Sequence, residues 1–202
     1  MPDPECRSRA TSSRTSTESL RATLCLLTIA ALAAAGAGTE ALAADPGTLR
    51  LTSPSFADGG EIPSTYTCEG AGVSPPLAWS GVPAGTKSLV VIVDDPDAPD
   101  PKAPKTTWVH WVVYDIPPSA TGLPEDVKST LPSGARQGTN DFKRADFGGP
   151  CPPIGRHRYV HKLYALDVVL GDLGQATKAE VEKAMVGHVL QEAQLVGTYA
   201  KR

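Results

Sequence analysis

The chain has 202 residues and a formal net charge of −3, with 41% apolar and 20% charged side chains. That size and balance fit one ordinary globular domain with its own core. The weak acidity gives no electrostatic reason to bind nucleic acid.

An apolar, alanine-rich stretch runs from Leu24 to Gly38, preceded by Arg7, Arg9, Arg14 and Arg21. It leads into Ala41-Leu42-Ala43-Ala44, a small-residue cleavage pattern. These features predict a secretory signal peptide over residues 1–44, and a mature domain over 45–202 that is periplasmic or secreted. A retained anchor is the alternative, but the stretch falls short of the roughly 20 residues a membrane span needs. No later segment is apolar for long enough to span a bilayer. Leu24 precedes Cys25 where a lipidated cysteine needs a small residue, so no lipoprotein is expected. Cys68 and Cys151 are the cysteines left after cleavage. In an oxidising compartment they are expected to form one disulfide, with two free buried thiols as the alternative.

The predicted elements of the mature domain are mostly strands. Thr48 to Thr52 alternates polar and apolar side chains, and Pro76 to Trp79 is a short candidate strand. Ser88 to Val93, Thr107 to Ile116 and His157 to Val169 are the strong strands, rich in β-branched and aromatic residues. Gly and Pro clusters separate them, with no helix after each strand, so antiparallel sheets packed face to face are expected rather than a parallel fold. Residues 117–156 form a long connection with little periodicity. Its first part reads as a surface excursion, and its end, GGPCPPIG, reads as a pocket wall delivered directly to His157. Thr177-Lys178-Ala179-Glu180 has capping-box spacing, and Val181, Ala184, Met185 and Val189 follow on one helical stripe. This predicts a C-terminal helix running to about Gly197. His188 reads as a packed or capping residue rather than a ligand.

The chemistry gathers at three strand ends. Asp94, Asp95, Asp97 and Asp100 are interleaved with three prolines directly after the run Leu89 to Val93, which fixes an acidic turn at a strand mouth. Alternation places His110 on one face with Trp108, Val112 and Tyr114, and puts His157, Tyr159 and His161 on another shared face. His161 lies deeper and reads as a core histidine. A carboxylate beside an imidazole stabilises its charged form, so Asp95 or Asp97 near His110 or His157 would make a donor site for phosphate, helped by the Tyr159 hydroxyl.

Taken together, DPDAP (Asp95 to Pro99), WVHWVVYDIP (Trp108 to Pro117) and GGPCPPIGRHRYVHKLYALD (Gly148 to Asp167) resemble the phosphatidylethanolamine-binding protein family. YTCEG near Tyr66 and GHVL near His188 add to the likeness, which covers roughly Leu49 to the C-terminus. The bacterial branch, often called Raf-kinase-inhibitor-like proteins, is the most similar. The resemblance implies a non-enzymatic binding protein whose small anion pocket, for phosphate or a phospholipid head group, uses Asp95, His110, His157 and Tyr159. Asp97 and Pro153 stand at its edge. It also implies a protein partner, a kinase or protease, that the chain inhibits. Two departures bear on this: Cys151 stands where animal members usually have glycine, and Asp100-Pro101 stands where they often have Ser-Arg. The residues also leave open a metal-dependent hydrolase with Asp95, Asp97, His110 and His157 as ligands, although no compact metal motif is present. No cofactor is expected.

Overall fold

The computed structural model describes residues 47–202 except 129, so the expected leader over residues 1–44 lies outside the described residues. Eight strands and one helix follow in order: β1 (Arg50–Thr52), β2 (Leu77–Ser80), β3 (Ser88–Asp95), β4 (Trp108–Ile116), β5 (Gly122–Leu123), β6 (Arg136–Gln137), β7 (Arg156–Leu166), α1 (Lys178–Met185) and β8 (Val189–Ala200). A small sheet has the order β1-β2-β5, and a larger one β6-β4-β3-β7-β8. Every pairing within both sheets is antiparallel. Among the described residues, no helix is long and apolar enough to cross a membrane.

The core lies on both faces of the larger sheet. Leu51, Leu77, Trp79 and Leu123 of the small sheet pack against Leu89, Val91, Trp111 and Leu163 of the large one. On the opposite face Val90, Ile92, Val112 and Tyr114 pack against Val181 and Met185 of α1. Every residue of β3 is therefore buried, which explains why its sequence is continuously apolar rather than alternating.

The C-terminal region differs from expectation. The capping box forms, with the Glu180 amide donating to Thr177 Oγ1 and the Thr177 amide donating to Glu180 Oε2 at 2.8 Å. The helix then stops at Met185 instead of near Gly197. Gly187 adopts φ +82°, a left-handed conformation that ends helices. The chain reverses there and pairs along β7, so Val189 begins a strand and is not part of the helical stripe. Isolated helical spacing over four residues could not compete with a ladder running from His157–Tyr199 to Leu166–Val189. His188 is half-exposed and lies 2.8 Å from Asp167 Oδ1, while its amide donates to the Met185 carbonyl.

The long connection is also more ordered than its composition indicates. Its first part supplies β5, and Leu123 and Val127 are buried. The Ala120 carbonyl accepts from Trp79 Nε1 at 2.7 Å. This excursion is thus part of the small sheet's packing. Its end is stapled by a disulfide between Cys68 and Cys151, with Cα atoms 5.4 Å apart and 83 residues of separation. The Cys68 amide also donates to the Pro150 carbonyl at 3.0 Å.

Closing a loop of 83 residues restricts the unfolded chain, an effect worth about 4–5 kcal/mol in the chain-entropy model. A Cys68→Ser/Cys151→Ser variant should lose most of that in urea denaturation, with the slope of the transition unchanged; a loss below about 1 kcal/mol would show that the reduced chain is already restrained.

Candidate functional site

The register between β3 and β7 sets the site. Asp94 lies opposite Val160, the last pair of that ladder, so Asp95 emerges beside the start of β7. Adjacent strand residues face opposite sides. Asp95 therefore points to the small-sheet side, where His157 and Tyr159 point, and Asp94 points to the side of α1. Asp94 Oδ2 accepts from both Lys162 Nζ and Lys178 Nζ at 2.7 Å, so this carboxylate anchors the helix and takes no part in the cavity.

Asp95 is nearly inaccessible and fully engaged. Its Oδ1 accepts from the Asp97 amide at 2.9 Å, which shapes the turn, and its Oδ2 lies 2.7 Å from His157 Nδ1. The His157 Nε2 lies 3.0 Å from the Ile154 carbonyl. Each ring nitrogen thus faces an acceptor.

His110 reaches the same side through a bulge. Val93 pairs with Trp111 and Asp94 with Val109, which leaves His110 as the extra residue. The bulge turns Val109 toward the α1 side, with Val112 and Tyr114. His110 instead sits 5.1 Å from Tyr159, ring centre to ring centre. The expected sharing of a face with Val112 and Tyr114 is therefore corrected, because an inserted residue inverts the alternation on one side of it. The loop before β7 holds the bulge: Gly148 N–H donates to the His110 carbonyl at 2.9 Å, and His110 Nδ1 lies 2.6 Å from the Gly148 carbonyl. A carbonyl only accepts, so Nδ1 carries a proton and Nε2 of the neutral ring carries the lone pair. A Cβ at Gly148 would fall 2.3 Å from the Phe142 ring, so a larger residue there would have to displace that ring.

Burial is the main influence on these groups. It pushes the His110 pKa down, against the opposing pull of the Gly148 carbonyl and Asp95. It also pushes the Tyr159 phenol well up, with the Asp95 charge adding to it, so the hydroxyl keeps its proton. That hydroxyl is buried and has no hydrogen-bond partner among the described residues. The sequence reading had a neighbouring carboxylate raising the histidines; for His110 desolvation wins and the ring stays neutral.

Asp95, His110, Pro153, His157 and Tyr159 border one cavity of about 250 Å³. Ala98, Pro99, Trp108, Phe142, Cys151 and Pro152 complete its walls. Asp97 does not border it. Both its oxygens are taken by Arg158, at 2.6 Å to Nη2 and 2.9 Å to Nε, with the Arg158 amide also donating at 2.9 Å. The guanidinium holds the Asp97 carboxyl below the usual carboxylate range. Asp97 is thus corrected from ligand group to turn clamp. The hydrolase reading gains no support from this geometry, because Asp97 is committed to Arg158 and both ring nitrogens of His157 face acceptors. Among the described residues, no group of three or more His, Cys, Asp or Glu is placed to hold a metal.

Trp108 and Phe142, packed edge to face with ring centres 5.6 Å apart, are wall residues that strand periodicity did not single out. Phe142 lies in the aperiodic connection, where the signal was only an aromatic among polar residues. His161 is core: it packs on Phe56, its Nε2 is unpartnered, and burial pushes its pKa down to about 4.

Removing the Asp95 carboxylate leaves two buried donors without an acceptor. Asp95→Ala should cost about 3–5 kcal/mol in urea denaturation. Asp97→Ala should cost clearly less, because the Arg158 side chain is 60% exposed and water can solvate it. Equal losses would contradict the division of roles between the two carboxylates.

Comparisons with known proteins agree with the fold. A family model described as phosphatidylethanolamine-binding protein matches residues 52–200. A UPF0098 protein of Methanothermobacter thermautotrophicus is 50% identical over 155 residues, covering 76% of this chain and 99% of that protein. A Chlamydia trachomatis structure, described as a phosphatidylethanolamine-binding protein homologue, superposes with a TM-score of 0.71 at 43% identity, covering 77% of this chain and 99% of that one. The structure of Escherichia coli YbcL, described as a new member of the mammalian family, gives 0.70 at 36% identity, covering 76% of this chain and 99% of that one.

Proposed function

This chain belongs to the phosphatidylethanolamine-binding protein family, and from that premise we propose that its cavity binds a compact phosphoryl head group without turning it over. The observation that carries this is the Tyr159 hydroxyl, a buried donor with no hydrogen-bond partner among the described residues. Such a group is costly unless something supplies an acceptor, and a phosphoryl oxygen does. His110 supplies the second donor once its Nε2 takes a proton. The acidic residue of the cavity does not repel the anion outright, because His157 faces the Asp95 charge.

The sign of the pH dependence follows from His110. Its free ring is neutral near pH 7 because burial lowers its pKa. Binding that requires Nε2–H therefore takes up a proton, so affinity rises as pH falls, by at most about tenfold per pH unit. The rise ends once pH drops below the pKa of the free ring. Glycerophosphoethanolamine is a clean probe, because its phosphodiester keeps one negative charge across this range. Titration calorimetry from pH 8 to pH 5 should show this slope for the wild type. His110→Gln, whose amide donates without titrating, should flatten it. Tyr159→Phe should weaken binding by about 1.5–3 kcal/mol at every pH. A flat wild-type profile would remove His110 from the site, and a parallel titration with inorganic phosphate separates head group from free anion.

We also propose that the domain works outside the cytoplasm. The support is the Cys68–Cys151 disulfide, both of whose residues are exposed; exposed disulfides persist in oxidising compartments. Mass spectrometry of the native protein should find an N-terminus near Ala44 or Asp45, and an intact segment from Met1 to Gly38 would overturn this. Inhibition of a kinase or protease partner rests on family kinship alone.

A further inference from the structure

The Cys68–Cys151 disulfide lies between two cavities, and only one of them belongs to the head-group reading. Cys151 borders the cavity already described. Cys68 and Cys151 together border a second cleft of about 380 Å³, with Gly72, Phe142, Arg144 and Gly148 among its walls. Both cysteines are exposed, so a thiol can reach the sulfur pair from the cleft without entering the ligand cavity. Exposed disulfides are the ones that exchange readily with thiols.

The two cysteines are held very unequally. Before Cys68, the Thr67 amide and hydroxyl both donate to the Ser64 carbonyl. After it, the Glu69 carboxylate accepts from the Tyr199 hydroxyl of β8. Cys68 is thus tied to ordered structure on both sides. Cys151 stands between Pro150 and Pro152, with Pro153 following, and proline has no N–H to donate. Among the described residues, the backbone hydrogen bond that reaches 150–155 from outside the strands is the one from the Cys68 amide to the Pro150 carbonyl. The covalent link is therefore the strongest restraint on the wall at Cys151. Three residues earlier, Gly148 meets His110 through both its amide and its carbonyl, so slack in the wall passes to that ring.

Resting on the head-group reading, we propose that this disulfide is a redox switch for the cavity: a dithiol reductant attacks it from the cleft, and its reduction frees the wall and weakens head-group binding. One reductant thiolate bonds to one cysteine sulfur, and the other cysteine leaves as a thiolate that takes up a proton. The second thiol of the reductant then displaces the first cysteine and closes its own disulfide. Two electrons and two protons pass to the protein, and the reductant ends oxidised.

Dithiothreitol serves as the dithiol, with samples alkylated at intervals so that mass spectrometry counts the freed thiols. Reduction of the folded protein should run at a rate that stays flat in urea below the unfolding transition. A rate that climbs with urea from the start would place the attack in the opened chain and overturn the proposal. Protein held reduced, without alkylation, should keep its far-ultraviolet circular dichroism and bind glycerophosphoethanolamine about tenfold or more weakly. Reoxidation should restore the affinity, and Cys68→Ser/Cys151→Ser should match the reduced wild type and ignore dithiothreitol. Loss of the fold on reduction would make the bridge purely structural and overturn the switch, and so would equal affinity in the two redox states. If the oxidised protein does not bind glycerophosphoethanolamine, the head-group reading falls, and nitrogen-15 shifts of His110 decide the switch on their own. They should report a proton fixed on Nδ1 in the oxidised state and shared between both nitrogens in the reduced state; identical His110 shifts in both states would overturn it.

Discussion

The antiparallel pairing of β3 with β7 is the constraint on which both core and cavity depend. It runs from Ser88–Leu166 to Asp94–Val160 and stops where the acidic turn begins. Because β3 is covered on both faces, none of the charged residues at its end can simply face water. Each must find a hydrogen-bonding partner nearby, or desolvation would outweigh any gain. The structure assigns one solution to each carboxylate. Asp94 receives two lysines, Asp95 the His157 ring, and Asp97 the Arg158 fork. This resolves the tension of an acidic turn beside a phosphoryl site. The three carboxylates are partnered before any ligand arrives, so none is left bare toward the cavity.

A second dependency runs through the wall segment. The disulfide and the Cys68 amide hold the Cys151 and Pro150 region. The same stretch includes Gly148, whose amide and carbonyl both meet His110. The staple therefore reaches the histidine's tautomer through two residues of backbone. A loosened wall would free the ring to flip, and its exposed nitrogen would no longer be defined. Fixing a ring by a backbone carbonyl is also what keeps a neutral histidine ready to take a proton on a chosen atom.

Much of this was legible in the sequence where periodicity is long and local chemistry is unambiguous. The run Leu89 to Val93 marked the doubly covered strand, alternation in β7 placed His157, Tyr159 and His161 on one face, and the capping box marked the start of α1. The misses have a common cause. The His110 bulge, the end of α1 at Gly187 and the clamp on Asp97 are all set by partners distant in sequence. A single inserted residue carries no local mark, and Asp97 differs from Asp95 only in what β7 brings to it. The stretch Val186 to Leu190 fits a helix or a strand equally well until β7 offers a ladder. Phe142 was invisible because wall residues in irregular segments follow no period.

The two faces of β3 explain why function collects on one side only. On the α1 side, Lys178 occupies the first turn of the helix, where a positive charge opposes the helix dipole. Asp94 offsets this by placing a carboxylate at that same N-terminus, and Lys162 from β7 adds to the match. The Asp94 charge is thus absorbed in tying helix to sheet. On the other side the small sheet is short, its three strands being two to four residues long. Loops rich in proline close that end instead. Within these walls Asp95 and His157 are paired with each other, while the Tyr159 hydroxyl has no partner among the described residues. The cavity is therefore walled beside a short second layer by loop prolines, a disulfide-bonded cysteine and the packed rings of Trp108, Phe142, His110 and Tyr159.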